Sequence, residues 1–352
     1  MDAGSPVPAC SSNSAAGWPG ECARPTVALH LGALGDLVLA LPALERLRQS
    51  GPVVLLAQPA IGRLLVASGA VAAAVDGTQA ALAPLFAGSA RALPGWLTAA
   101  LATARRAVLF VREGAALQAG FASAGAREVL VVPPRPEPGS GVHAADALVR
   151  GLARALGEPA PAEPARPVLA ACPAGLAAAR ALLGERGLAP GAYVALHPGS
   201  GGLRKCWPPA SWIELGRALA AAGGPPPLVL LGPVELQARP ELGAALAAAG
   251  LPVIEAPPLE TLAGLLAQAA AYAGHDSGPT HLAAALGTPT LALFGPTDPA
   301  LWAPRGPRPE RIRVLRAGCE VQALAPPAAL AALRALLGAG GCTPASPGER
   351  RG

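Results

Sequence analysis

One lysine stands out among the residues that could do chemistry. Lys205 is the only lysine in a chain with 27 lysine and arginine residues. It ends a glycine-rich run, H-P-G-S-G-G-L-R-K, in which Gly199 and Ser200 offer backbone N–H groups and a hydroxyl that can hold phosphate oxygens. The ammonium of a lysine is a compact, mobile point charge, whereas the guanidinium of an arginine is a rigid planar fork, so the two groups bind phosphate in different geometries. Because arginine fills every other basic position, we expect Lys205 to bind phosphate.

A second candidate anion site lies in residues 272–299, which predict a strand, a turn, a short helix and a second strand. Asp276, Ser277 and Gly278 form the turn, and His281 lies in the helix. A helix that begins after such a turn directs free backbone N–H groups towards the strand ends, which favours an anion and most naturally a phosphate. The alternative is an ordinary buried corner of an α/β domain, because the glycine spacing fits no standard phosphate-binding fingerprint.

A candidate general base follows the first predicted strand, residues 26–31. Asp36 falls at the N-cap or in the first turn of the next helix, so it could simply cap that helix. It also lies at the carboxyl end of the strand, where open α/β sheets place their ligands and where a carboxylate could accept a proton. The two interpretations are compatible, since the orphan N–H groups of a first turn hold a carboxylate ionised.

Three further charged side chains are candidates for contacting a substrate. Glu235 follows a predicted strand, so its carboxylate could accept hydrogen bonds from ribose hydroxyls; alternatively it is an acid in a first helical turn. Arg63 and Arg112, in the first half of the chain, could contact an acidic substrate. The alternative for both arginines is an ordinary solvated position on the surface.

The elements that must position these residues alternate between strand and helix. Short apolar runs separated by Ala-rich helical stretches predict mostly parallel sheets with right-handed crossovers. The predicted strands are residues 26–31, 52–58, 72–75, 107–111, 128–132, 192–196, 228–231, 252–255, a run ending before Gly274, 290–294 and 311–315.

Composition limits the class of protein. The chain has 352 residues with a net charge of +5 and 14% charged residues. These values modestly favour an acidic small molecule or headgroup as partner, and no dense basic run with interleaved aromatics suggests nucleic acid. The six cysteines have no paired or metal-binding spacing, so we expect free thiols in a reducing cytoplasm. Prolines and glycines within the uncharged span 277–297 argue against a membrane helix.

The length suits two domains. The proline-rich run E-P-A-P-A-E-P-A-R-P is the best linker, because it is stiff and polar. The predicted organisation is a disordered tail at 1–24, a first domain at 25–157, a linker and hinge at 158–190, a second domain at 191–340 and a disordered tail at 341–352.

Taken together, four motifs resemble glycosyltransferase family 9, the bacterial lipopolysaccharide heptosyltransferases. The motifs are L-G-A-L-G-D-L-V-L-A-L-P-A at 31–43, H-P-G-S with K-C-W-P at 197–208, L-L-G-P-V-E at 230–235, and G-H-D-S-G-P-T-H-L-A-A-A-L-G-T-P with F-G-P-T-D-P at 274–299. Their order and spacing resemble the family over roughly residues 26–340.

The resemblance implies an α/β GT-B fold, in which two Rossmann-like domains with parallel sheets face each other across a cleft. It implies inverting, metal-independent transfer of a sugar, by default heptose from ADP-heptose, to a lipopolysaccharide-core or similar acidic glycan or glycolipid. The nucleotide sugar is a substrate, and no cofactor is implied. The location implied is the cytoplasm, with peripheral contact at the inner membrane for a lipid-linked acceptor.

Roles carry over from the family by position. Asp36 corresponds to the family's proposed catalytic base, and Lys205 to the position that opposes the leaving diphosphate. Ser200 corresponds to a position that contacts the donor phosphates, and Glu235 to the carboxylate near the nucleoside ribose. The donor-binding signature corresponds to Asp276, Ser277, Gly278 and His281.

The chain departs from the family at two places. His275 stands where members often carry Asn, and Cys206 fills the variable place between Lys and Trp-Pro; neither is expected to touch an essential role. Two rival functions fit these motifs less well. A GT-B-type sugar epimerase would need further acid and base groups around the sugar, and a non-catalytic nucleotide-sugar-binding protein would not need both Asp36 and Lys205.

Overall fold

The computed structural model describes residues 24–137 and 139–338. Apart from Arg24, the two predicted tails lie outside the described residues, as do Cys10, Cys22 and Cys342. The chain divides into two compact units. The first contains residues up to Ala178, Pro258–Gly264 and Ala300–Trp302, and the second contains the remainder.

The first unit is built on a five-stranded sheet in the order β3-β2-β1-β4-β5, and every strand pair in it is parallel. This order is that of a Rossmann-type sheet: β2 and β3 are added on one side of β1, and β4 and β5 are added on its other side. Its elements are β1 (Thr26–Leu29), α1 (Leu34–Arg48), β2 (Val53–Ala57), α2 (Pro59–Ala67), β3 (Ala73–Asp76), α3 (Ala83–Phe86), α4 (Gly95–Thr103), β4 (Arg106–Phe110), α5 (Ala115–Ser123), β5 (Val129–Val132) and α6 (Ala144–Leu156), followed by α7 (Pro173–Gly184), within which the two units divide.

The second unit is built on a six-stranded parallel sheet in the order β11-β10-β9-β6-β7-β8. Numbered within the unit, this is again the order 3-2-1-4-5-6 of a doubly wound nucleotide-binding sheet. Its elements are β6 (Val194–His197), α8 (Pro209–Ala221), β7 (Pro227–Leu231), α9 (Pro233–Ala238), α10 (Leu242–Ala248), β8 (Val253–Glu255), β9 (Ala271–His275), α12 (Gly278–Ala285), β10 (Thr290–Phe294), β11 (Ile312–Arg316) and α14 (Pro326–Gly338). Two further helices are shared between the units: α11 (Leu259–Ala267) belongs to the first unit up to Gly264, and α13 (Pro299–Trp302) belongs to it from Ala300.

Each unit has its own core. Central strands such as β2 (V-V-L-L-A) and β10 (T-L-A-L-F) are buried at every residue, which is typical of parallel strands covered on both faces. The second core is organised around Trp207 and Trp212, whose ring centroids lie 5.3 Å apart in an edge-to-face arrangement. Among the described residues, no helix is both long and apolar enough to cross a membrane.

Helix ends follow local sequence. His143 caps α6 by accepting a hydrogen bond from the Ala145 N–H at 3.2 Å, and Gly157 ends it at φ +69°. In α12, Pro279 occupies the second helical position, because the helix begins at Gly278. The segments that follow the carboxyl ends of β1, β6 and β9 carry Asp36, Lys205 and Asp276.

Candidate functional site

The second unit brings its candidate residues to one edge of its sheet. β6 and β9 are hydrogen-bonded neighbours, with His197 opposite Gly274. Between these strands the order of winding reverses, and in open α/β sheets ligands bind at that switch point, beyond the carboxyl ends of the strands. The turn after β6 and the turn before α12 therefore meet where a nucleotide is expected.

An ion pair joins the two turns. The Lys205 Nζ atom donates a hydrogen bond to Asp276 Oδ2 at 2.8 Å, and the side chains are 32% and 11% exposed. The Ser200 hydroxyl donates to the Asp276 backbone carbonyl, also at 2.8 Å. Because Lys205 remains one-third exposed, its ammonium can serve the carboxylate and an incoming anion together.

Asp276 is held ionised. Its Oδ1 atom lies 3.7 Å from His281 Nε2, and both side chains are nearly buried. Burial alone would raise the pKa of the carboxyl group, but the contacts with His281 and Lys205 outweigh it and lower the pKa to about 2. The carboxylate therefore orients the lysine and the histidine at neutral pH.

The start of α12 lies beside this cluster. Ser277 is the N-cap and Gly278 the first helical residue, and both are half-buried. The first N–H groups of a helix have no intrahelical partner, and the helix dipole makes this end favourable for an anion. A lysine and a helix N-terminus at the same sheet edge form a site suited to a phosphate or diphosphate.

The Glu235 side chain is more buried than is expected of a side chain that contacts a ribose. Its side chain is 6% exposed, and Oε2 accepts a hydrogen bond from the Gly232 N–H at 2.8 Å and lies 3.6 Å from His197 Nε2. Burial acts to raise its pKa, but the His197 ring and the backbone N–H groups outweigh burial, so the pKa is lowered. It thus has the geometry of an acid in a first helical turn, and contact with ribose stays a prediction.

Glu235 also explains the need for Gly199. A Cβ atom on Gly199 would lie 1.9 Å from Glu235 Oε1. In contrast, a Cβ on Gly201 would meet no atom within 4 Å. The turn after β6 therefore packs directly on the buried Glu235 carboxylate at Gly199, whereas at Gly201 there is room for a side chain.

Asp36 lies in the first unit, at the third position of α1. Its Oδ2 atom accepts a hydrogen bond from the Ala33 N–H at 3.1 Å and lies 4.0 Å from an Arg135 nitrogen, with the side chain 20% exposed. Both sequence interpretations fit this placement, because the carboxylate caps the helix and still reaches the carboxyl edge of the sheet.

A buried histidine packs beside Asp36. A Cβ atom on Gly32 would lie 2.7 Å from His30 Cε1 and 2.8 Å from Asp36 Cβ, so glycine allows the two side chains to approach. The Gly32 N–H donates to His30 Nδ1 at 3.2 Å. Burial lowers the pKa of His30 to about 4, against an opposing effect of Asp36, so the ring is neutral at pH 7.

The two candidate acceptor-binding arginines are both exposed. Arg112 lies just beyond β4 in the first unit. Arg63 Nε lies 3.7 Å from Glu260 Oε1, so this arginine already has a weak ion-pair partner within the first unit. Their predicted contact with an acidic substrate stays a prediction.

Two residues beside the site had no role in the sequence prediction: Arg239 was not named, and His275 was expected to touch no essential role. Arg239 donates a hydrogen bond from Nη2 to the Pro198 carbonyl at 3.0 Å, next to the glycine-rich turn. His275, the last residue of β9, is fully buried and contacts both ends of that turn. The signal that could have found His275 is its position directly before Asp276, at the end of a buried strand.

No group of three or more His, Cys, Asp or Glu side chains in the part of the chain that the structure describes is arranged to hold a metal ion. Cys172, Cys206 and Cys319 are free thiols. Burial raises the pKa of the Cys206 thiol, which makes it a poor nucleophile.

The chain is similar to known heptosyltransferases. The model of glycosyltransferase family 9 (heptosyltransferase) matches residues 104–337. Lipopolysaccharide heptosyltransferase 1 of Pseudomonas aeruginosa is 40% identical over 112 residues, which are 31% of this chain and 31% of that protein. The similarity thus spans about a third of the length of that relative.

Two solved structures share the fold over nearly their whole length. The E. coli ADP-heptose lps heptosyltransferase II has a TM-score of 0.70 at 19% identity, covering 89% of this chain and 98% of that one. The E. coli heptosyltransferase WaaC with ADP has a TM-score of 0.60 at 20% identity, covering 89% and 99%.

Two doubly wound parallel sheets are the architecture of a GT-B protein, the fold of these two structures. The family match over residues 104–337 covers more than half of the chain. The chain therefore belongs to glycosyltransferase family 9, as its four sequence motifs indicated.

Proposed function

We propose that this protein transfers heptose from ADP-heptose to a lipopolysaccharide-core or similar glycan, with inversion at the anomeric carbon and without a metal ion. Membership of family 9 and the similarity to a lipopolysaccharide heptosyltransferase support this activity. The single observation that carries the proposal is the Lys205–Asp276 pair, which holds the chain's one lysine at the switch point of a doubly wound sheet.

The donor diphosphate is proposed to bind against Lys205, Ser200 and the N-terminus of α12. A diphosphate carries the charge that the ammonium and the free N–H groups complement. When the bond between the anomeric carbon and the phosphate oxygen breaks, its electron pair remains on the diphosphate. Lys205 neutralises this developing charge, which lowers the barrier because the ammonium is already oriented by Asp276.

Asp36 is proposed to act as the general base. Its carboxylate takes the proton of the acceptor hydroxyl while that oxygen forms the new bond to the anomeric carbon, so a single displacement inverts the centre. An N–H donor from Ala33 keeps the carboxylate oriented. A positioned base typically contributes about 10²–10⁴-fold to the rate.

The acceptor is proposed to be acidic and lipid-linked, with Arg63 and Arg112 as candidate contacts because both carry exposed guanidinium groups in the first unit. Such an acceptor would be met at the cytoplasmic face of the inner membrane, through peripheral contact. Binding of the protein to vesicles that contain the acceptor lipid, and not to vesicles without it, is the expected result.

Calorimetric titration with ADP, UDP and GDP tests the donor. The proposal expects ADP to bind more tightly than UDP or GDP. Selective binding of UDP or GDP would retain a glycosyltransferase and contradict ADP-heptose as the donor. Failure of all three to bind would contradict the donor site itself.

A further inference from the structure

His275 links the two ends of the loop that carries Ser200 and Lys205. The backbone N–H of Trp207 donates a hydrogen bond to His275 Nε2 at 2.9 Å. On the other side of the ring, Nδ1 lies 3.4 Å from the Gly199 carbonyl oxygen. One side chain from β9 therefore contacts the loop just before Ser200 and again two residues after Lys205.

These contacts fix the protonation of the ring. An Nε2 atom that accepts from an N–H group carries no proton, so the neutral ring has its proton on Nδ1, where it can be donated to the Gly199 carbonyl. Burial of the side chain, together with the nearby His197, lowers the pKa of His275 to about 3. The same tautomer therefore persists across the physiological range of pH.

The ring is itself held in place. His275 is 0% exposed and meets Trp212 edge-to-face, with ring centroids 5.1 Å apart. Trp212 lies on α8, and it packs against Trp207 in the core of the second unit. The hydrogen bonds thus extend from a rigid core residue to a loop that reaches solvent at Gly201 and Leu203.

We propose that His275 is a positioning residue that sets the 199–207 loop so that the Lys205 ammonium meets Asp276. Asp276 follows His275 directly in sequence, so a single backbone segment presents the carboxylate and, through His275, holds the loop that delivers its partner. The inference concerns how the loop is held; its role in catalysis rests on the proposed function.

Two substitutions each replace one of the two hydrogen-bonding atoms of the ring. The Oε1 atom of a glutamine can replace the Nε2 acceptor for the Trp207 N–H, and the Nδ2 of an asparagine can replace the Nδ1 donor for the Gly199 carbonyl. A phenylalanine keeps the ring and removes both hydrogen bonds. Since the contact at Trp207 lies on the Lys205 side of the loop, His275→Gln should retain the Lys205 geometry better than His275→Asn or His275→Phe.

Lys205 can be observed directly, because it is the only lysine. Reductive methylation with ¹³C-formaldehyde keeps its positive charge and gives a dimethyl-lysine NMR signal distinct from that of the N-terminal amine. Asp276→Asn supplies the reference for a lysine without its carboxylate partner. This measurement requires no nucleotide, so its outcome is independent of whether the protein transfers heptose.

The Lys205 signal of His275→Phe should move towards that of Asp276→Asn, and the signal of His275→Gln should stay near that of the unsubstituted protein. Affinity for ADP should fall about tenfold in His275→Phe, as expected for loss of one well-oriented charged contact, and much less in His275→Gln. In a Lys205→Ala background, His275→Phe should change ADP affinity by less than about twofold, because the residue acts through Lys205.

An unchanged Lys205 signal in His275→Phe would overturn the inference. The inference would also be overturned if the signals of His275→Gln and His275→Phe were equally displaced. That result would mean that the shape of the ring positions the loop and that the hydrogen bond from the Trp207 N–H does not. If His275→Phe fails to fold, the comparison of His275→Gln with His275→Asn still decides: equal displacement in both contradicts the role of the Trp207 contact.

Discussion

The Lys205 Nζ atom lies 2.8 Å from Asp276 Oδ2, although the two residues are 71 positions apart in sequence. The pair forms because β6 and β9 are neighbours in a parallel sheet, which brings the turns at their carboxyl ends together. The carboxylate orients the ammonium, and Ser200 ties the same turn to the Asp276 backbone. This relationship underlies the expected behaviour of the proposed donor site.

Lys205→Ala should weaken ADP binding by about 10–100-fold, since hydrogen bonds to charged groups contribute about 1.5–3 kcal/mol. Isothermal titration calorimetry measures this loss. Arg204→Ala is the matched control, because Arg204 is a neighbouring and exposed basic residue. Equal losses in the two variants would indicate a general effect of positive charge and contradict a specific role for Lys205.

Asp276 should contribute acid-sensitive stability. Its pKa is about 2 in the folded protein, against 3.8 for a free aspartate, so the ionised form favours folding. The contribution is fully present above about pH 4 and is lost as the pH falls towards 2, a change of about 2 kcal/mol in the free energy of unfolding. Urea unfolding of the unsubstituted protein and Asp276→Asn between pH 4 and 2 should converge. A constant difference across this range would rule out the ionised pair.

His30 should make the protein less stable in mild acid. Its pKa is about 4 when folded, against 6.5 for a free histidine, so the unfolded chain binds the proton more readily. Stability is therefore present above about pH 6.5 and falls as the pH drops to 4, by about 3 kcal/mol. Urea unfolding should show a smaller loss in His30→Asn, which can still accept from the Gly32 N–H. The same pH dependence in both proteins would show that a group other than His30 causes the loss of stability.

Gly199→Ala should destabilise the second unit, because the added Cβ would lie 1.9 Å from the buried Glu235 carboxylate. Overpacking of this kind costs about 1–3 kcal/mol, and the displaced turn should also bind ADP less tightly. Thermal unfolding and calorimetry measure the two effects. Gly201→Ala is the control, since nothing lies within 4 Å of its added Cβ. Similar unfolding temperatures for the two variants would contradict the packing of Gly199 on Glu235.

Much of the fold could be predicted from sequence. Every predicted strand is present within about two residues of its expected bounds, because parallel strands are short apolar runs that end at Gly, Pro or polar turns. The helices of the first half were harder to delimit. Stretches such as Ala115–Ser123 are rich in small apolar residues, so they show little contrast between a buried and an exposed face.

The residues of the candidate site can be singled out one by one from the sequence, but the pairs that they form cannot. Lys205 could be singled out because it is the only lysine, and the turn at Asp276 because a helix begins after it. That the two side chains meet depends on strand order, which no local pattern encodes. The burial of Glu235 and the contacts of His275 depend on packing across several strands, so they also required the structure.

The central claim is most directly tested by measuring ADP release from ADP-heptose with a lipopolysaccharide-core acceptor, using the unsubstituted protein, Asp36→Asn and Glu45→Gln. Glu45 is the matched control because it lies on the same helix, half-exposed and paired with Arg48. The account predicts acceptor-dependent ADP release that Glu45→Gln retains and Asp36→Asn loses by about 10²–10⁴-fold, with ADP binding intact. Full turnover in Asp36→Asn would contradict the assignment of the base. Tight ADP binding without any transfer by the unsubstituted protein would contradict the enzyme and favour a nucleotide-sugar-binding protein.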